Sequence, residues 1–169
     1  GERRAKTYVG EKTPQHLRRV PQILEDFPDA LILCVIRDGR DVALSLSAMP
    51  WWTDGLGGAA QAWKTAIELS DEFCALFPAS VRTVRFEDLV LDPVVTLGST
   101  MKFLGLEFEP EQLVPGPSNV VQERSRAWKG RSLEPIDTGR AKNWRTTTRK
   151  ADLQLLEREL RPTLSRLGY

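Results

Sequence analysis

Histidine and cysteine are nearly missing from this chain. Of 169 residues one is His (His16) and two are Cys (Cys34 and Cys74). With no CxxC pair and a single imidazole, a Cys/His zinc site has too few donors. The two cysteines sit inside apolar segments and read as small buried hydrophobes in a reducing compartment rather than as a disulfide. Long hydrophobic runs are absent too. None approaches the roughly 18 residues that cross a bilayer, and no secretory signal pattern opens the chain, so a cytoplasmic protein is expected. Charge of one sign is scarce: 24 Lys and Arg against 23 Asp and Glu leave +1. A chain that is 41% hydrophobic and 28% charged is too apolar and too evenly charged for disorder. Roughly 100–200 residues make one domain, so a single core is expected over 1–169.

What is present alternates strand and helix. Leu31-Ile-Leu-Cys-Val-Ile36 is apolar at every position, which suits a strand buried on both faces of a parallel sheet. Ser80 to Phe86 is a short β-rich run, and Thr7 to Gly10 is expected as a third, shorter strand. Val20 to Phe27 reads as a short helix before the turn at Pro28-Asp29, and Asp41 to Met49 as a helix after the first strong strand. Ala59 to Phe77 sets Trp63, Ala66, Ile67, Ser70, Cys74 and Phe77 on one helical face. Asp92-Pro93 joins a capping side chain to a proline at the first helical position, with Leu97, Met101 and Leu104 inward and Gly105 as the stop. From Asp152, a stripe of Leu153, Leu156, Leu160, Leu164 and Leu167 marks a last helix, which Pro162 is expected to kink or interrupt. Strands alternating with helices imply an α/β fold with a parallel sheet.

Between Pro110 and Arg149 prolines and glycines break the pattern, and a long loop region with little regular structure is expected. Its charge is lopsided. From Arg124 to Lys150 nine basic residues face only Glu134 and Asp137, a net of +7 in a chain of +1. Such a loop suits an anionic small ligand, a polyanion or plain solvation.

Three places have the residue types for chemistry. Arg37 follows the buried run and Ser45 lies in the helix after it. Ligands of open α/β sheets bind beyond the carboxyl ends of strands, where a guanidinium and a hydroxyl form a phosphate clamp and a helix amino end adds positive potential. The alternative is an Arg37 paired with Asp38 or Asp41 and a Ser45 on the helix surface. Glu11-Lys12-Thr-Pro14 follows the shortest strand candidate, where a carboxylate can take a proton from an attacking hydroxyl or form a surface ion pair of little worth. His16, after Pro14, reads as a surface or capping residue. Trp51-Trp52 suits either an acceptor-pocket wall or the core.

Taken in order, Glu11-Lys-Thr-Pro14, Arg37-Asp-Gly-Arg-Asp-Val-Ala-Leu-Ser45, Val84-Arg-Phe-Glu-Asp-Leu-Val-Leu-Asp-Pro93 and Phe103-Leu-Gly-Leu106 resemble the sulfotransferase family. These enzymes use 3′-phosphoadenosine 5′-phosphosulfate (PAPS). The resemblance runs from about Tyr8 to Leu167-Gly-Tyr169. It implies a P-loop-type parallel sheet flanked by helices. It also implies Arg37 and Ser45 as ligands of the 3′-phosphate, with Gly39 in place of the usual proline loosening the turn. Glu11 matches the general base of the heparan-type members, with Lys12 beside it. Lys129-Gly130-Arg131 is similar to the basic loop that closes over the 3′-phosphate and adenine. Trp144-Arg145 resembles a late pair in bacterial members, of no assigned role. Phe86-Glu-Asp-Leu89 and Asp92-Pro93 read as structural.

One family feature has no counterpart: the opening strand and glycine-rich loop that cradle the 5′-phosphosulfate. The chain therefore reads as N-terminally incomplete, and alone as inactive. The activity expected of the longer enzyme is sulfuryl transfer from PAPS to a hydroxyl or amine of a small-molecule, carbohydrate or peptide acceptor, with no metal, no nucleic-acid partner and no membrane span. The alternatives are a P-loop small-molecule kinase and a non-catalytic module that binds a nucleotide or polyanion.

Overall fold

The computed structural model describes residues 8–114 and 137–169. Its sheet, among these residues, pairs β1 (Ile32–Ile36) in parallel with β2 (Val81–Arg85), Ile32 opposite Val81 and Ile36 opposite Arg85. A parallel pair needs a crossover. Here it is made by α2 (Gly39–Ser47) and α3 (Gly55–Leu76), after a 3-10 turn (Pro14–Arg19) and α1 (Val20–Asp26) that precede β1. Beyond β2 come α4 (Phe86–Leu91), α5 (Pro93–Phe103), α6 (Trp144–Thr147) and α7 (Lys150–Arg166). The architecture is the expected α/β one.

The 22-residue α3 is the spine. Its first half carries Ala59, Ala60, Trp63 and Ile67 into one core with Ile36 of β1, Ala43 of α2 and the leucine stripe Leu156, Leu160 and Leu164 of α7. Its second half carries Phe73 into another core with Val20 and Val81, flanked by Leu17, Ile32 and Cys34. The helical periodicity in the sequence placed most of this face but missed Phe73, and α3 begins at Gly55 rather than Ala59. Cys34 and Cys74 are free thiols, with the Cys74 sulfur 3.3 Å from the Thr83 hydroxyl.

Several expectations are corrected. Tyr8 to Gly10 form no strand and stand in solvent, Val9 93% exposed, because among the described residues nothing pairs with them; an isolated extended segment has neither ladder nor packing to hold it. β1 is not buried on both faces: Ile36 is buried, but Val35 is 62% exposed. Pro162 does not interrupt α7, which runs through it. The proline lies on the exposed side, while Leu160 and Leu164 are packed on the other, so core contacts on both flanks hold the helix across the missing hydrogen bond. In the region after Pro110 the described residues hold only short pieces, in keeping with little regular structure: Pro110–Leu113 and Thr138–Lys142 form 3-10 turns, and α6 follows.

Two glycines have steric reasons. Gly39, the first residue of α2, is not a loosened turn. A Cβ there meets the Trp63 ring at 2.7 Å, and Trp63 is buried with its Nε1–H donated to the Arg37 carbonyl at 3.0 Å. Gly168 has φ +74 and closes α7, letting the Tyr169 N–H reach the Leu164 carbonyl at 2.9 Å while the Gly168 N–H reaches Ser165 at 3.1 Å. This is the paired-bond helix stop that a left-handed glycine permits.

Gly39→Ala is expected to lower stability by about 1–3 kcal/mol, the scale of overpacking. Gly57→Ala, also in a helix but with open space around its Cβ position, is expected to raise it by about 0.5–1 kcal/mol. Urea midpoints of the two variants check the contrast, and equal effects count against the Trp63 contact as the reason.

Candidate functional site

The carboxyl ends of β1 and β2 collect charge of both signs. Arg37, Asp38, Arg40 and Asp41 follow β1, while Arg85 and Glu87 lie at the end of β2. Asp38, Asp41 and Glu87 are buried, and a buried carboxylate must be matched by donors. Glu87 accepts the Asp38 backbone N–H at 2.9 Å on one oxygen and the Tyr169 hydroxyl at 2.8 Å on the other. Burial, and then the bonded Glu87 carboxylate, hold the Tyr169 hydroxyl well above the ordinary phenol range. Arg85 supports the same corner, donating to the Leu167 carbonyl at 2.6 Å with its guanidinium 4.3 Å over the Tyr169 ring. Asp38 caps α2 by accepting the Arg40 N–H at 2.9 Å. The Arg40 guanidinium grips Asp38 at 2.7 Å and Glu157 of α7 at 2.6 Å, and lies 3.8 Å over the Trp144 ring.

These carboxylates occupy donors at the amino end of α2. The expected positive helix end is therefore largely neutralised by the protein itself. An anion at this place is left to side chains, and among the described residues of the cluster the Arg37 guanidinium is partly exposed. Its Nη2 lies 3.1 Å from Asp41 Oδ2, and its guanidinium 4.7 Å from the Phe86 ring centroid. The Arg37 side chain is 29% exposed and that of Asp41 is 3% exposed. Of the two pairings weighed from the sequence, Arg37 takes Asp41, and Asp38 belongs to Arg40. Asp41 also accepts the Trp144 N–H at 2.8 Å. Burial pushes the Asp41 carboxyl above its usual range; the Arg37 charge and the Trp144 N–H pull it part of the way back, and Asp38 adds a little to the rise. Ser45 lies one turn beyond Asp41 on the same face of α2 and is exposed. Arg37, Asp41 and Ser45 follow one another at four-residue spacing, with the buried Asp41 between the part-exposed Arg37 and the exposed Ser45.

Glu11 sits apart from that cluster in its own contacts. The Thr13 hydroxyl donates to its Oε1 at 2.6 Å, and His16 Nδ1 lies 2.7 Å from its Oε2. Both the Glu11 and the His16 side chains are more than half exposed. Lys12 is exposed beside them. Lys129, Gly130 and Arg131 lie outside the described residues. Gly55 to Gly58 are the first turn of α3, not a phosphate loop. Trp52 flanks the core and donates to the Gly55 carbonyl at 2.8 Å, whereas Trp51 is 62% exposed. A groove of about 720 Å³ opens along β2, lined by Arg82, Thr83, Val84 and Arg85 with parts of α4 and α5, and of the described residues expected for chemistry neither Glu11, Lys12, Arg37 nor Ser45 lines it. No helix among the described residues is long and apolar enough to cross a membrane.

The sequence reading did not foresee the Glu11–His16 contact, the Asp41 latch on Trp144 or the Glu87 bridge. A signal existed for the first: Pro14 starts a turn, which folds a residue two positions on back toward those just before the proline. The other two join residues 103 and 82 positions apart, and no local pattern carries them.

Comparison with known proteins matches residues 2–110 to the model of the sulfotransferase family. Protein-tyrosine sulfotransferase 2 of Gallus gallus is 25% identical over 96% of this chain and 46% of its own length. The sulfotransferase domain of the Synechococcus PCC 7002 olefin synthase superposes with a TM-score of 0.69 at 24% identity, over 88% of this chain and 56% of that one. The sulfotransferase domain from the curacin biosynthetic pathway gives 0.65 at 22% identity, over 88% and 58%. The two domains establish the shared fold. The chain spans about half the length of the curated relative.

Two outcomes follow from the charge cluster. Tyr169→Phe leaves one oxygen of the buried Glu87 without its donor and is expected to cost about 1.5–3 kcal/mol of stability, read from chemical denaturation. Arg37→Ala removes the charge that pulls the Asp41 carboxyl down. The folded-state value then rises further above the unfolded one, so stability falls as pH climbs from the ordinary carboxyl range through that raised value. The gap between wild type and Arg37→Ala is expected to be wider at pH 7 than at pH 4. A gap independent of pH speaks against the Arg37–Asp41 coupling.

Proposed function

The chain belongs to the sulfotransferase family, and from that premise we propose that it carries the 3′-phosphate wall and the base of a site for sulfuryl transfer from PAPS to a hydroxyl or amine. The observation that carries the reading is the Arg37–Asp41–Ser45 series at the carboxyl end of a parallel strand, within the matched segment. Arg37 and Ser45 are the side chains that would take the 3′-phosphate. Asp41 aims Arg37 from behind, so the guanidinium need not be ordered when the nucleotide arrives. Lys129, Gly130 and Arg131 would close over the same phosphate.

Glu11 is the base of this proposal, with Lys12 adding a cation beside it. Its support is the resemblance of Glu11-Lys12-Thr13 to the base motif of the heparan-type members, inside the matched residues 2–110. In the reaction the acceptor O–H or N–H gives its proton to Glu11. The acceptor atom bonds to sulfur as the bond from sulfur to the bridging phosphate oxygen breaks, and adenosine 3′,5′-bisphosphate leaves. Positioning and electrostatics carry most of such a transfer. The acceptor class is a small molecule, a carbohydrate or a peptide. A tyrosyl peptide is the first probe, since the Gallus gallus relative is a protein-tyrosine sulfotransferase.

Calorimetry on the whole protein tests the nucleotide half. Arg37→Ala is expected to weaken adenosine 3′,5′-bisphosphate binding by about 1.5–3 kcal/mol, as for a charge-assisted hydrogen bond, with ADP bound poorly by both forms. Unchanged affinity in a folded variant removes the assignment, and a preference for ADP points to a kinase. For the base, Glu11→Gln is expected to lower turnover of labelled PAPS by about 10²–10⁴ with bisphosphate affinity kept; a mild effect sinks Glu11.

A further inference from the structure

Glu11 is more than half exposed, so packing does not hold its carboxylate in one orientation. Two donors do. The Thr13 hydroxyl binds Oε1 at 2.6 Å and His16 Nδ1 binds Oε2 at 2.7 Å. Both come from one short segment whose shape is fixed. Thr13 is extended, Pro14 opens the 3-10 turn, and the His16 N–H donates to the Thr13 carbonyl at 3.0 Å, which folds the imidazole back over Glu11. The turn is anchored one residue further on by Leu17, which packs against the core of Val20, Phe73 and Val81.

We propose that His16 is a positioning residue for the Glu11 base. Its Nδ1–H and the Thr13 hydroxyl clamp the carboxylate at both oxygens and aim it at the acceptor. The inference rests on the reading of Glu11 as the base. Each carboxylate oxygen has two acceptor sites, so one bond apiece leaves a site on each for the incoming proton. That proton passes from the acceptor to Glu11, while His16 keeps its own Nδ1 proton throughout. The same geometry would suit an imidazole that itself takes the proton at Nε2, with Glu11 behind it. The rival role is separable, because Asn offers an N–H near the place of Nδ1 and has nothing at the place of Nε2.

The experiment measures turnover of labelled PAPS by the whole protein with a tyrosyl peptide and with water as acceptors, beside bisphosphate affinity. His16→Ala is expected to lower kcat about 100-fold, the scale of a misplaced reacting group, with KM and bisphosphate affinity unchanged. His16→Asn is expected to recover most of that loss. In a Glu11→Gln background His16→Ala should cost nothing more, because His16 acts through the carboxylate. An Asn variant as poor as Ala, a full additional loss in the double variant, or an Ala variant equal to wild type overturns the proposal. A mild Glu11→Gln alone instead overturns the assignment of the base, so the two failures are told apart.

Discussion

Glu87 holds together three stretches of chain that nothing local brings near one another. One oxygen takes the backbone N–H that follows β1, and the other takes the hydroxyl of Tyr169 beyond α7. The residue itself sits in the first turn of α4, directly after β2. A buried carboxylate with two good donors is stable where it stands and costly to strand. The carboxyl ends of the two strands, the start of α2 and the end of α7 are thereby fixed relative to each other. The neighbouring charges follow from that fixed corner. Asp38, whose N–H Glu87 holds, caps α2 and grips Arg40. Arg40 reaches Glu157 and covers Trp144, and Trp144 hands its N–H to Asp41.

Arg37 belongs to the same arrangement. The buried carboxylates of the corner each have donors, neutral ones for Glu87 and guanidinium groups for Asp38 and Asp41, yet the Arg37 guanidinium keeps part of its surface in solvent. The amino end of α2, which by itself would attract an anion, is occupied by carboxylates of the chain. An anionic ligand therefore meets a side-chain cation rather than a helix dipole. A planar, permanently charged, multiply donating group suits that task.

The parts legible in the sequence were those with local causes. The apolar run 31–36, the β-rich run 80–86, the Asp92-Pro93 cap and the leucine stripe of α7 each follow from spacing or capping within a few residues, and the structure has all four. What escaped has causes distant in sequence. Val35 is apolar but exposed, because burial depends on what covers a face and not on the strand's own composition. Gly39 reads as a loosened turn until Trp63, 24 positions on, is seen to fill the place a Cβ would take. Pro162 reads as a break until the leucines on either side are seen packed. Of the residues expected to carry chemistry, Arg37 and Ser45 could be placed because a strand end and a helix face position them. Asp41 was one of the two partners weighed for Arg37 and is the one it takes; the exception to distance is Glu11, whose local contacts with Thr13 and His16 were missed.

Those partners explain how exposure is divided. The groups proposed to meet the nucleotide or the acceptor are open: Arg37 in part, Ser45 and Glu11 largely. The group behind Arg37, Asp41, is almost wholly buried. The division has an electrostatic reason. A cation that is to bind an anion must not be neutralised by a strong partner on its open side, yet it needs an anchor to keep its geometry. A buried carboxylate whose ionised form is itself disfavoured by burial, and which shares its charge with a backbone N–H, is a weak competitor and a good anchor. An exposed aspartate at the same distance would compete on the open side. The same reasoning separates the two ends of the proposed site. Asp41, which anchors Arg37 from four residues on, is itself buried and held by the Trp144 N–H 103 positions away, whereas Glu11, among the described residues, is bonded to its near neighbours Thr13 and His16. The nucleotide end is thus built into the folded core, and the proton-accepting end is carried by a single turn.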